Sequence, residues 1–373
     1  MSLAKKLIGG VAALAVAGIA VLAFVMSRTE PCGPPGSAPA AAPSMTAVLH
    51  RCYGPADLLE LAVVERPLPG DDEVLVRVHA AALNPLDWHY MTGTPYVMRF
   101  ESGLGRPTSD RLGVDFAGTV AAVGRNVTAF RPGDAVYGSR WGAFAEYVKV
   151  TQGKALVPKP ANLTFAQAAG IPVAAVTALQ ALRDKAQVTA GQKVLVNGAS
   201  GGVGTFAVQI AKALGAEVTG VCSTRNVELV RSLGADHVID YTQDDFTRGA
   251  QRYDVVIDAV GNHSLRDVRR ALVPEGVHVL IGGPKDDPWI GPVLGFIKAP
   301  IVSRFTSQRV VVLLSQMNEA DLRALNELVA AGKVTTVIDR SYPLAQVPEA
   351  LRYLETRRAR GKVVIEVVAE GAH

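Results

Sequence analysis

A glycine-rich turn between an apolar strand and a helix is the feature of this chain that most narrows its fold. Residues 193–196 predict a buried strand, and four of the next positions, 198, 201, 202 and 204, are glycines. A helical pattern begins at residue 203. Glycine lets a backbone turn tightly and approach a pyrophosphate, and a helix start offers it free N–H groups. Because strand and helix flank the turn, we predict a dinucleotide site here, with a purely structural turn as the alternative. The residues assigned to it are Ser200, Gly201, Gly202 and Val203.

Short apolar strands and helices alternate after this turn. This pattern predicts an α/β fold whose parallel sheet is doubly wound, with helices on both faces. From Met45 to about residue 165 the chain instead predicts an irregular β-rich domain, and the tail after Gly332 adds a helix and a strand. The predicted strands are 47–49, 74–78, 118–123, 134–138, 144–150, 194–196, 218–221, 255–257, 277–281, 310–314 and 363–368, and the predicted helices are 203–214, 227–233, 265–272, 319–331 and 346–356.

The composition excludes several classes of protein. Of the 373 residues, 49% are hydrophobic and 19% are charged, so a large core can form and global disorder is excluded. The net charge is +4 and its Lys and Arg residues form no dense block, which gives nucleic-acid binding little support. Three cysteines cannot build a four-thiolate zinc site, and no pair of them has CxxC spacing. We expect no disulfide framework, with Cys52 and Cys222 as small buried residues and Cys32 unassigned.

An unbroken apolar run precedes the globular part. Leu7 to Met26 could form a hydrophobic helix about 30 Å long, which would span a bilayer. Residues 1–28 are therefore predicted as a transmembrane anchor and 29–44 as a Pro-rich linker. A cleaved signal, or a natural start at Met45 that leaves a cytoplasmic protein, remains an alternative. Lys5 and Lys6 favour a catalytic domain outside the cell. No pool of a reduced dinucleotide is expected there, so we expect the catalytic domain on the cytoplasmic side.

The type of dinucleotide is indicated at the end of the second strand of the parallel sheet. An NAD site usually places Asp or Glu there to bond the ribose 2′-hydroxyl. This chain has Ser223, Thr224 and Arg225 at that place, with no acidic residue. Hydroxyl groups and a guanidinium suit a 2′-phosphate, so NADPH is the predicted cofactor. The alternative is that Arg225 is a solvated helix-start residue and the two hydroxyls are caps.

The sequence resembles the medium-chain dehydrogenase/reductase superfamily over residues 45–369, and in particular its zinc-independent quinone oxidoreductase-like branch. Several separate motifs occur in the expected order. They are 53–55 (Tyr-Gly-Pro), 84–87 (Asn-Pro-Leu-Asp) with Gly93, 113–120 (Gly-Val-Asp-Phe-Ala-Gly-Thr-Val), 131–136 (Arg-Pro-Gly-Asp-Ala-Val), 199–204 (Ala-Ser-Gly-Gly-Val-Gly) and 359–364 (Ala-Arg-Gly-Lys-Val-Val).

The resemblance implies a discontinuous layout around a central Rossmann domain. Residues 45–167 and 316–369 would form a GroES-like catalytic domain, and 168–315 the NADP-binding domain. The substrate cleft would lie between them. Zinc-dependent members carry Gly-His-Glu where this chain has Gly113-Val114-Asp115, and no Cys or His stands at the first ligand position. We therefore predict no metal. A homodimer is expected by analogy.

The resemblance also implies roles for single residues. Asn84 would lie near the nicotinamide ribose, although before Pro85 it could only shape a turn. Tyr241 would pack on the adenosine or be a core residue, and Lys362 would reach the cofactor phosphates. Asp87 and Tyr90 are placed near the cleft as candidate catalytic residues together with Asn84, but nothing assigns the proton donor. The remaining cofactor contacts are Thr177, Gly261 and Gly282.

The predicted chemistry is hydride transfer from NADPH to a quinone or an α,β-unsaturated carbonyl, because conjugation delocalises charge that zinc would otherwise stabilise. The alternatives are a zinc-free alcohol dehydrogenase or aldehyde reductase, and a non-catalytic, membrane-tethered NADPH-binding protein. Residues 284–304, with Trp289 and Ile297, and Phe305 after them, are expected to line the substrate pocket.

Overall fold

The computed structural model describes residues 18, 20–33, 43–283, 288–289, 299, 304 and 306–367. Within them the strands are β1 (Ser44–Leu49), β2 (Glu60–Glu65), β3 (Glu73–Ala82), β4 (Asp115–Val123), β5 (Ala135–Ser139), β6 (Tyr147–Thr151), β7 (Leu156–Pro158), β8 (Lys193–Asn197), β9 (Glu217–Cys222), β10 (His237–Asp240), β11 (Tyr253–Asp258), β12 (Leu272–Leu280), β13 (Arg309–Val312), β14 (Ile338–Pro343) and β15 (Lys362–Glu366). The helices are α1 (Pro85–Thr92), α2 (Arg99–Ser102), α3 (Phe165–Ala169), α4 (Pro172–Leu179), α5 (Gly202–Ala213), α6 (Val227–Ser232), α7 (Leu265–Ala271), α8 (Glu319–Ala330) and α9 (Val347–Glu355).

A six-stranded parallel sheet carries the glycine-rich turn. Its strand order is β10-β9-β8-β11-β12-β13, so the chain runs outward from β8 on one side and from β11 on the other. The predicted parallel α/β sheet is therefore confirmed. The order reverses between β8 and β11, and the crevice at the carboxyl ends of strands at such a point is where ligands bind in open α/β sheets.

Burial on both faces explains why this sheet was readable from the sequence. Val194, Leu195 and Val196 of β8 are all fully buried, as are Phe206 and Ile210 of α5. A strand covered by helices on both faces needs apolar residues at every position, which produces continuous apolar runs. Such runs separated by helices leave few alternatives for the fold.

The second sheet combines the two ends of the globular part. Its order is β14-β15-β3-β4-β5-β7, and β6 also pairs with β3. β15 pairs antiparallel with β3, where Ile365 lies opposite Ala81. From α9, Val347 and Leu351 are fully buried in the core of the same half. The tail residues 338–366 thus complete a β-rich half that begins at β1.

Some elements differ from the sequence-based predictions. The strands β2, β7, β10 and β14 were not predicted, because they are short or only half-buried. β12 begins at Leu272, five residues before the predicted start, although Pro274 and Glu275 interrupt its apolar pattern. These strands are determined by pairing with neighbours that are distant in sequence, which local patterns do not report.

The segment before β1 is fastened to the β-rich half. Residues 20–27 are helical. The guanidinium of Arg99 donates hydrogen bonds to the carbonyl oxygens of Met26 and Arg28, each at 3.0 Å. No helix within the described residues is long and apolar enough to cross a bilayer. Most of the predicted anchor 1–28, namely residues 1–17 and 19, lies outside those residues.

The cysteines correct one expectation. Cys32 and Cys52 form a disulfide, with their Cα atoms 4.8 Å apart, so the expectation of no disulfide is wrong. The pairing depends on the docking of the segment that holds Cys32, which the spacing of the cysteines does not reveal. Cys222 is a buried free thiol, as expected.

Candidate active site

The glycine-rich turn leaves β8 and enters α5 at Gly202 in a shape that only glycines allow. Gly198 has a φ of 84°, in the left-handed region that glycine tolerates. A Cβ on Gly204 would lie 2.0 Å from the carbonyl oxygen of Gly198, so the two segments approach too closely for a side chain. A Cβ on Gly201 would meet only that same oxygen, at 3.4 Å. The turn therefore leaves space for a pyrophosphate beside the unpaired N–H groups at the start of α5, where Val203 is half-buried.

The glycine-rich turn, residues 198–204, forms the cradle of the site. The corner of the site, residues 223–225 after β9, lies beside this cradle. Ser223, Thr224 and Arg225 follow β9, which pairs in parallel with β8. The side-chain amide of Asn226 donates to the hydroxyl of Ser200 at 3.0 Å and to that of Ser223 at 3.2 Å. Asn226 thus ties the cradle to the corner. The sequence analysis missed it, although an amide next to Arg225 is a usable signal.

The corner is open to solvent on one side. The side chain of Tyr241 is 62% exposed, so the alternative that it is a core residue is wrong. Arg225 Nη2 donates to the carbonyl oxygen of Arg358, at 2.6 Å. Because Arg358 belongs to the β-rich half, both halves of the molecule meet at the corner predicted to hold the 2′-phosphate.

Two further glycines lie close together at the carboxyl ends of β11 and β12. A Cβ on Gly261 would lie 2.8 Å from the carbonyl oxygen of Gly282, and one on Gly282 would lie 2.4 Å from that of Ala259. Asp258 fixes this loop by accepting the Gly261 N–H at 2.8 Å. Burial acts to raise the pKa of Asp258, but His278 and the hydrogen-bond donors outweigh it and the pKa is lowered. The loop is thus a rigid wall at the switch point of the sheet.

A buried polar cluster lies where the cradle meets the β-rich half. Its members Asn84, Asp87, Asp115 and Lys362 are each at most 3% exposed. The Lys362 ammonium donates to Asn84 Oδ1 at 2.6 Å and to the carbonyl oxygen of Leu83 at 2.9 Å. The side-chain amide of Asn84 donates to Asp115 Oδ2 at 2.9 Å, and its backbone N–H donates to Asp87 Oδ2 at 2.8 Å. The predicted residues Asn84, Asp87 and Lys362 are therefore neighbours.

The cluster holds two carboxyl groups and one ammonium away from water. Burial raises the pKa of Asp87 to about 7, and the charge of Asp115 adds to this while the Asn84 N–H and Lys362 oppose it. Burial raises the pKa of Asp115 to about 6 against the charge of Lys362. Burial lowers the pKa of Lys362, which the two carboxylates oppose. Of the two carboxyl groups, Asp87 therefore has the pKa closer to neutral pH.

Two other predicted residues lie in different surroundings. The hydroxyl of Thr177 donates to the carbonyl oxygen of Val173 at 2.6 Å and lies 2.9 Å from the hydroxyl of Ser315, and the residue is buried. The ring of Tyr90 packs against that of Trp141, with centroids 4.3 Å apart. Cofactor contact by Thr177 and catalysis by Tyr90 remain predictions.

One contact joins the β-rich half to the half that holds the parallel sheet. The backbone N–H of Tyr96 donates to the carbonyl oxygen of Pro288 at 2.7 Å, and the rings of Tyr96 and Trp289 lie 5.0 Å apart. Of the predicted pocket lining 284–304 and Phe305, only positions 288–289, 299 and 304 are described. The sequence analysis did not identify Tyr96, because nothing local shows that it meets Trp289.

The residues that align with the zinc-binding motifs contact one another. Asp115, at the Glu position of the Gly-His-Glu motif of zinc-dependent members, accepts the Val173 N–H at 3.1 Å in addition to the Asn84 amide. No three His, Cys, Asp or Glu residues of the described part of the chain gather as a metal site. The described chemistry of this place is hydrogen bonding and ion pairing.

Comparison with known proteins identifies the family. An alcohol dehydrogenase GroES-like domain model matches residues 70–161, and a zinc-binding dehydrogenase model matches residues 233–365. The chain is 36% identical over 339 residues to 2-methylene-furan-3-one reductase of Solanum lycopersicum, covering 87% of this chain and 79% of that protein. It is also 36% identical to the chloroplastic NADPH-dependent alkenal/one oxidoreductase of Arabidopsis thaliana, covering 86% and 79%.

A solved structure agrees with these relatives. The quinone oxidoreductase from Coxiella burnetii superposes with a TM-score of 0.76 at 31% identity, covering 87% of this chain and all of that one. Together with the parallel sheet and the β-rich half, these relatives identify the chain as an NAD(P)H-dependent oxidoreductase. The chain belongs to the medium-chain dehydrogenase/reductase superfamily, in its quinone oxidoreductase-like branch.

Replacing Gly204 tests the cradle. Gly204→Ala would place a Cβ 2.0 Å from the Gly198 carbonyl oxygen, so the backbone must move. We expect about 1–3 kcal/mol of lost stability and at least tenfold weaker NADPH binding, measured by urea unfolding and by fluorescence titration. The control is Gly249→Ala, whose Cβ would lie 3.9 Å from the Phe246 carbonyl oxygen and which should change neither quantity. Unchanged binding by the Gly204 variant would contradict the cradle assignment.

The raised pKa of Asp87 predicts a pH-dependent stability. The folded protein keeps a proton on this carboxyl up to about pH 7, whereas its ordinary pKa is 3.8. Its contribution to stability is therefore fully present below the ordinary pKa and is lost as the pH rises through about 7. Asp87→Asn removes this loss. The unfolding free energy of the variant minus that of wild type, measured with urea, should therefore increase as the pH rises from 5 to 8. The same difference for the exposed control Asp244→Asn should not change with pH. A difference for the Asp87 variant that also stays constant would refute the prediction.

Proposed function

We propose that this protein is an NADPH-dependent reductase of quinones or α,β-unsaturated carbonyls that works without zinc. The observation that carries the proposal is that Asp115, in the segment where zinc-dependent members have Gly-His-Glu, accepts hydrogen bonds from Asn84 and Val173 and lies near Lys362. A carbonyl at this junction would meet hydrogen-bonding groups rather than a Lewis acid. Conjugated acceptors suit such a site, since their developing negative charge is spread over several atoms.

The cofactor, when bound, supplies the hydride. The residues of this chain that we assign to holding it are the cradle 200–203, the corner 223–225 with Tyr241, the glycine wall of Gly261 and Gly282, and Thr177. The open side of Gly201 and the exposed ring of Tyr241 support this assignment. The names of two similar proteins, an alkenal/one oxidoreductase that uses NADPH and a quinone oxidoreductase, support both the cofactor and the substrate class.

The division into domains follows the two sheets. We propose a catalytic domain of residues 45–167 and 316–369 around a cofactor domain of residues 168–315. The pairing of β15 with β3 supports joining the two outer segments, and the order of the parallel sheet supports the central unit. The substrate would then enter beside the contact between Tyr96 and Trp289, where the halves meet.

We further propose that the N-terminal segment holds the enzyme at a membrane. Val21 and Phe24 in the helical stretch 20–27 are 63% and 65% exposed, and the apolar run continues toward Leu7 in the sequence. Exposed apolar side chains in such a row favour a lipid surface. The full chain should co-sediment with lipid vesicles and residues 43–373 should not. Equal sedimentation of both would contradict the proposal.

Turnover measurements test the function. The full chain is assayed for NADPH and NADH oxidation with one quinone, one short enal and one saturated ketone. We expect turnover of the quinone or the enal with NADPH, and little with the ketone. Ketone reduction that exceeds both would instead favour an alcohol dehydrogenase. Tight NADPH binding without any turnover would favour a non-catalytic NADPH-binding protein.

Replacing Arg225 tests the choice of cofactor. Arg225→Gln removes the guanidinium predicted to face the 2′-phosphate, so KM for NADPH should rise at least tenfold while KM for NADH changes little. Arg231→Gln is the matched control, because Arg231 lies on α6 and pairs with Glu228 on the surface. Equal loss with both cofactors in the Arg225 variant would show that this residue does not recognise the 2′-phosphate.

A further inference from the structure

The C-terminal segment touches the cofactor cradle just before Lys362. The Gly361 N–H donates to the carbonyl oxygen of Ser200 at 2.9 Å, and Gly361 forms an isolated bridge with Gly201. The Lys362 N–H donates to the carbonyl oxygen of Val337 at 2.8 Å. The backbone on which the Lys362 side chain stands is thus held against the cradle on one side and its own half on the other.

The side chain of Lys362 then crosses to the first turn of α1. Its Cδ would lie 3.4 Å from a Cβ on Gly202, so the chain passes along the start of α5. Its ammonium donates hydrogen bonds to Leu83 and Asn84, the two residues that precede α1. One side chain therefore connects the cradle wall to the helix that carries Asp87 and Tyr90.

The two neighbours of Asn84 determine which way its amide points. Lys362 can only donate hydrogen bonds and an ionised Asp115 can only accept them. The amide therefore presents Oδ1 to Lys362, at 2.6 Å, and Nδ2 to Asp115, at 2.9 Å. Without the ammonium, nothing on the Oδ1 side would distinguish the amide from its flipped form.

Burying the charged ammonium of Lys362 costs free energy of folding. Removing an ammonium from water costs several kcal/mol, and an apolar residue of similar size often stabilises a protein as well or better. Asp115 Oδ2 lies 3.8 Å from the ammonium, and Asp87 Oδ1 has no hydrogen-bond partner among the described residues. Stability alone does not account for an ammonium with two carboxyl groups at this junction.

We propose that Lys362 is a positioning residue that fixes Asn84 and the start of α1 against the cofactor cradle, instead of contacting the cofactor phosphates itself. Asp115 is the counter-ion in this arrangement, and Asn84 is the residue through which Lys362 acts. This proposal rests on the proposed function, because α1 matters only if the cleft beside it binds the substrate.

A double-mutant cycle tests the proposal. Lys362→Met, Asn84→Ala and the double variant are compared with wild type in kcat, in KM for the acceptor, and in NADPH affinity by fluorescence without acceptor. We expect Lys362→Met to lower kcat at least tenfold while the Kd of NADPH changes less than threefold. The double variant should be no worse than the single ones, because both changes break the same contact.

Two further variants complete the design. Lys362→Arg keeps a donor-only cation, so it should recover part of the lost kcat, and it replaces the Met variant in the cycle if that variant does not fold. Lys212→Met removes a lysine that pairs with Asp236 on the surface of the cofactor half and should leave every quantity unchanged.

The proposal is overturned by either of two results. Additive losses in the cycle would show that Lys362 does not act through Asn84. A Kd for NADPH weakened tenfold or more, with kcat retained, would show direct contact with the cofactor. If wild type turns over no acceptor, the proposed function fails. The same cycle is then measured in unfolding midpoints of the protein without cofactor. Non-additive shifts support the action of Lys362 through Asn84, and additive shifts overturn it.

Discussion

The structure depends on one junction, where the backbone of the C-terminal segment lies along the glycine cradle. The Gly361 N–H bonds to the Ser200 carbonyl, and from the next residue an ammonium reaches Asn84. These contacts join the parallel sheet to the β-rich half, although the residues come from three distant parts of the sequence. Because the ammonium and its two carboxyl neighbours are buried together, each needs the others to remain satisfied.

Close backbone approach is the second constraint on the site. At Gly204, Gly261 and Gly282 a single added carbon atom would lie within 3 Å of a carbonyl oxygen. Atoms packed this closely leave no freedom to adjust, so the cradle and the opposite wall have fixed positions relative to the sheet. Such rigidity suits hydride transfer, in which small displacements of the reacting atoms are costly.

The sequence predicted the parallel half better than the β-rich half, for a physical reason. Strands covered on both faces carry continuous apolar runs, and the glycine turn has a strict local requirement. By contrast, β2 alternates half-buried and exposed positions, and β14 is determined by pairing with β15. The disulfide was missed for the same reason, because Cys32 and Cys52 meet only when the N-terminal segment docks on Arg99.

The sequence by itself determined the glycine cradle and the parallel α/β sheet, because glycine geometry and two-sided burial leave local marks in a chain. The family followed from the resemblance of several separate motifs. The sequence also marked Asn84, Asp87 and Lys362 as residues of interest. Only the tertiary structure decided that these three share one buried cluster with Asp115, and that Asn226 joins Ser200 to Ser223. Contacts between residues far apart in sequence depend on how the sheets and helices pack, and no short stretch of sequence encodes that packing.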